Sequence, residues 1–170
     1  MSNKGFARIL LAAGALCLAT PCAFACSCMP VADRSFMTSA PKAPLVVHAK
    51  VVRHTEKRGD IYLAMDLEIL EVLQGATTEK GLRVWGDNGS LCRPYVMKFP
   101  EQSEWVFALF REGDKWAIPV CRENWLRVVG GRRVRGMVEG GSIGEIGIDE
   151  LDAMLKRPPI GGVSHAPRPN

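Results

Sequence analysis

The stretch IYLAMDLEILEVL, residues 61–73, decides the fold of this chain. Apolar residues fill every second position from Ile61 to Ile69, which predicts a strand with one buried face. The alternation slips at Leu70, because Leu70, Val72 and Leu73 no longer keep the period of two. A slip of one residue inside a long strand predicts a β-bulge or a sharp bend.

Shorter β-rich stretches surround this long strand. We predict four further strands at residues 45–53, 82–85, 104–110 and 115–121, with a polar turn at 54–60 and a hairpin turn at 111–114. Five strands, one of them long and bent, with few helices, predict a mainly β protein built as a five-stranded OB-fold barrel with short flanking helices. A β-sandwich is the alternative, because strand count alone does not separate the two.

The flanks of the strand region indicate the domain organisation. Asp33 and Asp149 are candidate N-caps of short helices that end at Ala40, before Pro41, and at Lys156. Residues 130–147 hold seven glycines and are interpreted as a loose loop or an irregular hairpin. The predicted organisation is a signal peptide at 1–25, the barrel domain at 26–128, a C-terminal loop and short helix at 129–157, and a disordered tail at 158–170.

The first 25 residues have the pattern of a secretory signal peptide. Lys4 and Arg8 precede an apolar run at 9–18, and Ala23-Phe24-Ala25 follows as a cleavage site. The protein is therefore expected to be secreted, either extracellular or periplasmic. Two alternatives are an uncleaved anchor and a lipoprotein acylated on Cys26. No other run is long enough to span a bilayer, so no membrane span is expected in the mature chain.

Cleavage changes the charge and the cysteine count. The net charge falls from +4 to +2, because Lys4 and Arg8 leave without an acid, and so small a charge favours neither nucleic acid nor a membrane surface. The mature chain, expected to be monomeric, keeps Cys26, Cys28, Cys92 and Cys121, an even number that predicts two disulfides. A bond between Cys26 and Cys28 would close a strained loop, which leaves two possible pairings.

Motifs of catalysis are missing from the sequence. The histidines, His48, His54 and His165, are scattered and predict no metal site of the protein's own. No serine has the partners of a nucleophile, and the glycine-rich 140–147 stretch lacks the lysine of a phosphate loop. The cluster from Arg132 to Arg135 is interpreted as a solvated face. We therefore expect no enzyme and no cofactor of its own.

The predicted mature start supplies a different chemistry. With Cys26 as residue one, its free α-amine and its own carbonyl can form a five-membered chelate on a zinc ion. Catalytic zinc keeps one position open, so a rigid terminus of this kind can occupy that position in another protein. Disulfides at Cys26 and Cys28 would supply the rigidity, which limits the entropy lost on binding.

These residues resemble the tissue inhibitors of metalloproteinases, within the wider netrin-like domain group. The resemblance covers about residues 26–128 and rests on these motifs: Cys26-Ser27-Cys28-Met29-Pro30, residues 45–52, Ile61-Tyr62, residues 71–75, Ser90-Leu91-Cys92, and Cys121 followed by Trp125. It implies an OB-fold with Cys26 paired to Cys92 and Cys28 to Cys121.

The resemblance also implies an inhibitory wedge made of Cys26, Ser27, Cys28, Met29 and Pro30, with Ser90 and Leu91 beside it. The partner would be a zinc metalloproteinase, whose own zinc is chelated by Cys26 and whose primary pocket takes Ser27. Met37 stands where the family has a further cysteine, so the 29–44 segment is expected to be looser. The alternative is a non-inhibitory netrin-like interaction module at the cell surface or in the periplasm.

Overall fold

The structure is a computed structural model that describes residues 34–157. Within that range it contains eight strands, two α-helices and two 3-10 turns. The strands are β1 (Leu45–Arg58), β2 (Ile61–Gln74), β3 (Gly81–Trp85), β4 (Glu104–Glu112), β5 (Lys115–Ala117), β6 (Trp125–Val128), β7 (Arg133–Gly136) and β8 (Gly144–Gly147). The helices are α1 (Phe36–Ser39) and α2 (Ile148–Leu155), and the 3-10 turns are Ala40–Lys42 and Val96–Lys98.

The first five strands close into a barrel. Their order is β1-β2-β3-β5-β4, and β4 pairs back onto β1, which completes the ring. All neighbours are antiparallel except β3 and β5, which run parallel. This closed five-stranded arrangement confirms the OB-fold-like barrel and excludes the β-sandwich, because one sheet curls on itself instead of two packing face to face.

The bulge predicted in β2 is present where the alternation slips. Ile69 pairs with Ala49 and Glu71 pairs with His48, so Leu70 has no partner in the ladder. Leu70 is consequently 45% exposed. A bulge increases local twist, which a strand of 14 residues needs in order to wrap around a small barrel.

The barrel interior is filled by alternate residues of its strands. Phe99 is fully buried in this core, with its ring in edge contact with Trp105 and Phe107 at centroid distances of 5.1 Å and with Trp125 at 5.7 Å. The buried members of the core are Leu45, Val47, Ala49, Val51, Met65, Leu67, Leu82, Val84, Val96, Phe99, Trp105, Phe107, Leu109 and Ile118.

A second core lies outside the barrel wall. Strands β6, β7 and β8 extend the sheet from β4, and α1 and α2 pack on the same side. Val46 of β1 and Val106 of β4 point into this layer, against residues such as Leu126, Leu151 and Phe36. Strands β1 and β4 are therefore buried on both faces, and the barrel wall next to them is supported from outside.

Two of the predicted boundaries were wrong, and the structure decides between two interpretations of a third stretch. The polar stretch 54–60 continues β1 as far as Arg58, because cross-strand pairs such as Thr55 with Ala64 keep it in the ladder. The strand predicted at 115–121 ends at Ala117. The glycine-rich stretch 130–147 forms the antiparallel β7–β8 hairpin, so of its two interpretations the hairpin was right and the loose loop was wrong.

The segment expected to be loose is anchored wherever it is described, from residue 34 to residue 44. The backbone N–H of Phe36 donates to Met137 O at 2.7 Å, and that of Met37 donates to Val138 O at 3.0 Å. Phe36 is fully buried. Ser35 is the N-cap of α1, and the 3-10 turn carries the chain past Pro41. Hydrophobic burial against the outer layer thus holds this segment without a disulfide at position 37.

The second predicted helix also starts differently. Gly147, and not Asp149, is the N-cap of α2. Asp149 lies in the first turn, where its carboxylate accepts a hydrogen bond from Arg132 at 2.7 Å. An acidic residue there still favours the helix through the helix dipole.

Candidate functional site

The residues predicted for the inhibitory wedge divide into two groups. Cys26, Ser27, Cys28, Met29 and Pro30 lie outside the described residues. Ser90 and Leu91 lie in the loop that leaves β3 at Gly86 and ends at the 3-10 turn Val96–Lys98. Both are exposed and immediately precede Cys92. This loop is therefore the part of the predicted wedge whose geometry can be described.

A buried carboxylate holds the loop in shape. Asp87 is only 5% exposed. Its Oδ1 accepts hydrogen bonds from the backbone N–H of Gly89 at 2.6 Å and of Leu91 at 3.2 Å, and its Oδ2 accepts one from Arg93 N–H at 3.1 Å. The N–H of Asp87 donates to Pro94 O at 3.1 Å, which closes the base of the loop. One side chain thus fixes the backbone of the next six residues.

The pKa of Asp87 is lowered by the hydrogen bonds that its carboxylate accepts. Burial acts to raise the pKa, but the hydrogen bonds from the backbone N–H groups of Leu91, Gly89, Arg93 and Ser90 together outweigh burial and lower it below 3.8. The carboxylate is consequently ionised at neutral pH, where charge-assisted hydrogen bonds are stronger than neutral ones.

Two further features stiffen the loop. The Asn88 side-chain oxygen accepts hydrogen bonds from both the backbone N–H and the hydroxyl of Ser90, at 3.1 and 2.9 Å. At Gly86 a Cβ atom would lie 2.7 Å from Pro94 O and 2.8 Å from a Val96 methyl, so only glycine fits there without displacement. Ser90 and Leu91 are therefore presented to solvent on a preorganised backbone.

Two half-cystines meet at one cleft beside this loop. Cys92 and Cys121 are each disulfide-bonded. Both have a positive φ, at 55° and 65°, a conformation that side chains other than glycine rarely adopt. They line a cleft of about 690 Å³. The implied partners, Cys26 and Cys28, lie outside the described residues, so the pairing stays a prediction.

The cleft is rich in cationic side chains. Arg34, Arg93, Lys98 and Arg122 line it, with Glu123 as the one carboxylate among the lining residues. Burial raises the pKa of Glu123 above 4.5, although the hydrogen bond from Met137 N–H and the charge of Lys98 oppose the rise. The Arg93 side chain is only 5% exposed and forms an ion pair with Glu112, so its charge is neutralised within the protein.

Three exposed apolar side chains, which we call the apolar rim, lie in the cleft or next to its lining residues. Tyr95, which lines the cleft, is 41% exposed, and Leu91 and Val120, the chain neighbours of Cys92 and Cys121, are 39% and 44% exposed. Large apolar side chains grouped at one place on a surface commonly mark a site of protein contact. The cleft and its surroundings therefore combine cationic side chains with exposed apolar ones.

His48, His54 and three of the tryptophans have structural surroundings, whereas His165 lies outside the described residues. His48 is 6% exposed and its Nε2 hydrogen-bonds Glu104 at 2.9 Å. His54 Nε2 hydrogen-bonds Phe99 O at 2.9 Å. Trp105 fills the barrel, and Trp116 and Trp125 pack against it. In residues 34–157 no cluster of histidine, cysteine and acidic side chains is arranged to hold a metal ion. In the same range no helix is both long and apolar enough to cross a membrane.

Comparison with protein-family models returns no match, and comparison with curated proteins returns none either. The interpretation of this site consequently rests on its own geometry and on the motifs that the sequence carries.

Sequence reasoning missed several residues of this site. The control of the loop by Asp87 was not foreseen, although an Asp-Asn-Gly run is a known signal of side-chain to backbone hydrogen bonds. Tyr95 and Val120 were missed entirely. Their signal is weak, because an exposed apolar residue in a loop has no periodicity to reveal it.

Proposed function

We propose that this protein is a secreted inhibitor of zinc metalloendopeptidases. The mature N-terminal residue, Cys26, would chelate the zinc of the partner through its α-amine and carbonyl oxygen. The protein itself would perform no catalysis and would need no cofactor, because the partner supplies the zinc.

One observation carries the proposal: the Asp87-held loop offers Ser90 and Leu91 to solvent directly beside the disulfide-bonded Cys92. An inhibitor that binds a preformed cleft gains affinity when its contact loop is already ordered, because little entropy is lost on binding. The disulfide-bonded Cys121 lines the same cleft as Cys92. A terminus tied to both cysteines would therefore emerge next to Ser90 and Leu91.

The apolar rim supports the same proposal. Leu91, Tyr95 and Val120 are exposed apolar side chains, and on binding they would lose water and supply the apolar contact found at the centre of protein interfaces. Ser27 would enter the primary pocket of the peptidase, while Met29 and Pro30 follow along its cleft.

The decisive experiment changes the first residue of the mature protein. Inhibition of a panel that includes thermolysin and a matrix metalloproteinase catalytic domain is measured with mature protein beginning at Cys26. The same protein extended by one alanine is compared with it. The extension converts the α-amine of Cys26 into an amide, which is a poor zinc ligand. Inhibition should therefore fall by at least 100-fold, while the circular dichroism spectrum and the unfolding midpoint stay unchanged. Equal inhibition by both proteins would disprove zinc chelation.

The same mechanism predicts a pH dependence. Only the unprotonated amine binds zinc, and α-amines titrate at about 7.7–8.0. Inhibition should therefore weaken as the pH falls through that range. An inhibitor of the same peptidase that lacks an amine ligand provides the control for changes in the enzyme itself.

A second candidate is a non-inhibitory netrin-like interaction module. The rim of Leu91, Tyr95 and Val120 favours it equally, because an apolar contact surface does not require zinc chelation. Intact mass and N-terminal sequencing of exported protein separate the two. A first residue other than Cys26, or a lipid on its amine, would favour the interaction module.

A further inference from the structure

Two arginines face each other on the outer sheet. Arg127 of β6 and Arg135 of β7 are directly opposite in the antiparallel ladder, and both are exposed. Directly opposite residues have Cβ atoms roughly 5 Å apart, and like charges in that position destabilise a sheet. Among residues 34–157 neither arginine forms an ion pair, although Glu145 of β8 lies opposite Arg135 on its other side.

The other arginines of the outer sheet are used differently. Arg132 bridges Glu71 and Asp149, at 3.1 and 2.7 Å. Arg133 donates to Glu145 at 2.5 Å. Glu145 is the β8 neighbour of Arg135 in the ladder, but its carboxylate is engaged by Arg133. Arg132 and Arg133 are thus neutralised by ion pairs within the protein, whereas Arg127 and Arg135 are not; we call these two the open pair.

The open pair continues into the cleft. Trp125 lies two residues before Arg127 on β6, so both side chains are on the same face of the strand. Trp125 lines the cleft together with Tyr95 and Lys98. We call the surface formed by Lys98, Trp125, Arg127 and Arg135 the basic face.

We propose that the basic face binds an acidic polypeptide segment of a partner protein. Trp, Tyr and Arg side chains together are the composition of contact hot spots between proteins, and the apolar rim lies beside them. An extended acidic segment places alternate carboxylates about 6.5–7 Å apart on one face, which suits two neighbouring guanidinium groups that each donate a pair of hydrogen bonds to one carboxylate.

Nucleic acid fits this surface less well. Lys98 Nζ lies 4.3 Å from the centre of the Trp125 ring, so the lysine covers the ring surface on which a base would stack. Two open arginines also provide few phosphate contacts compared with the number that drives polyanion binding. The proposal does not depend on the chelating terminus, because the basic face consists of side chains on β6, β7 and the 3-10 turn.

The test measures binding of full mature protein to poly-L-glutamate by fluorescence anisotropy, at about 50 mM salt. Arg127→Gln/Arg135→Gln should weaken binding by at least 5-fold, because both open charges are lost. The matched control, Arg53→Gln/Arg132→Gln, removes the same net charge from arginines that are already paired, and should change binding by less than 2-fold.

Polygalacturonate and single-stranded DNA are the competing probes. Their carboxylates and phosphates test whether the surface prefers a polysaccharide or a nucleic acid. Equal weakening by the two double variants, absence of poly-L-glutamate binding, or tighter binding of either competitor through Arg127 and Arg135 would overturn the proposal. Inhibition of peptidases is measured separately, so failure of the inhibitor hypothesis and failure of this one are distinguishable.

Discussion

Two neighbouring regions of the barrel use their charged side chains in opposite ways. In the surface network on β1, β2 and β3, Asp66 accepts from both Arg53 and Arg83, at 2.9 and 2.8 Å, and Arg83 also pairs with Glu56 at 2.8 Å. In the loop that follows β3 at the cleft, Asp87 is buried and accepts hydrogen bonds from backbone N–H groups. Charges neutralise one another in the surface network, whereas in the loop a charge shapes the backbone.

This difference bears on the proposed contact surface. A surface of mutually paired ions is well solvated and offers little to displace. A loop whose backbone is held by a buried carboxylate keeps its exposed apolar side chains free for the proposed contact. If the contrast is real, substitutions in the Asp87 loop will disturb the fold more than substitutions in the surface network.

The largest effect is expected from Gly86→Ala at the base of the Asp87 loop. The new methyl group would lie 2.7 Å from Pro94 O, so the backbone must shift, at a cost of about 3 kcal/mol in unfolding free energy. Gly144→Ala is the control, because nothing lies within 4 Å of its Cβ position. Urea denaturation of both variants measures the difference. Similar stability for the two would mean that the loop base is not tightly packed.

A direct comparison of the loop with the surface network comes from Asp87→Asn and Asp66→Asn. Asp87→Asn should lower the unfolding free energy by about 2 kcal/mol, because buried charge-assisted hydrogen bonds to three N–H groups are weakened. Asp66→Asn should cost less than about 1 kcal/mol, because its partners Arg53 and Arg83 are exposed. Equal losses would contradict the contrast between the loop and the surface network.

The sequence predicted the barrel because its strongest signals are local. The alternation in residues 61–69 follows from the burial of one strand face. The slip at Leu70 follows from a bulge in which Leu70 has no partner in the ladder. The parallel pairing of β3 with β5 depends on contacts between distant parts of the chain, so no local pattern could reveal it. Strand β6 was not predicted, although its four residues make it as long as the predicted strand at 82–85.

The candidate site was predicted only in part for a related reason. Ser90 and Leu91 were predicted through a resemblance carried by cysteine spacing, and their role stays a prediction. The side chains that shape and surround them act through tertiary contacts. Asp87 matters because it is buried, and Arg127 matters because Arg135 lies opposite. Neither fact can be read from composition.

The pH dependence of stability should differ between the carboxyl groups of Asp87 and Glu123. The pKa of Asp87 is lowered in the folded protein, so its stabilisation is present above 3.8 and is lost as the pH falls through its folded pKa. The pKa of Glu123 is raised by burial, so the folded protein binds its proton more tightly and stability decreases as the pH rises above 4.5.

Unfolding midpoints from pH 3 to 7 test both signs. Asp87→Asn should remove part of the acid lability, and Glu123→Gln should remove the decline above pH 4.5, a smaller change than that from Asp87→Asn at pH 7. If Glu123→Gln steepened the decline instead, burial would not be the dominant influence on that carboxyl group.

The smallest effect on stability is expected from Leu91→Ala, and it tests the purpose of the rigid loop. Leu91 is 39% exposed and its backbone is held by Asp87, so the unfolding free energy should change by less than about 0.5 kcal/mol. Inhibition of a susceptible peptidase should nevertheless weaken by about 10-fold, because the lost side chain belongs to the proposed contact surface. Leu70→Ala is the matched control, since Leu70 is 45% exposed on the bulge of β2. If both substitutions left inhibition unchanged, the ordered loop would serve the barrel and not a partner.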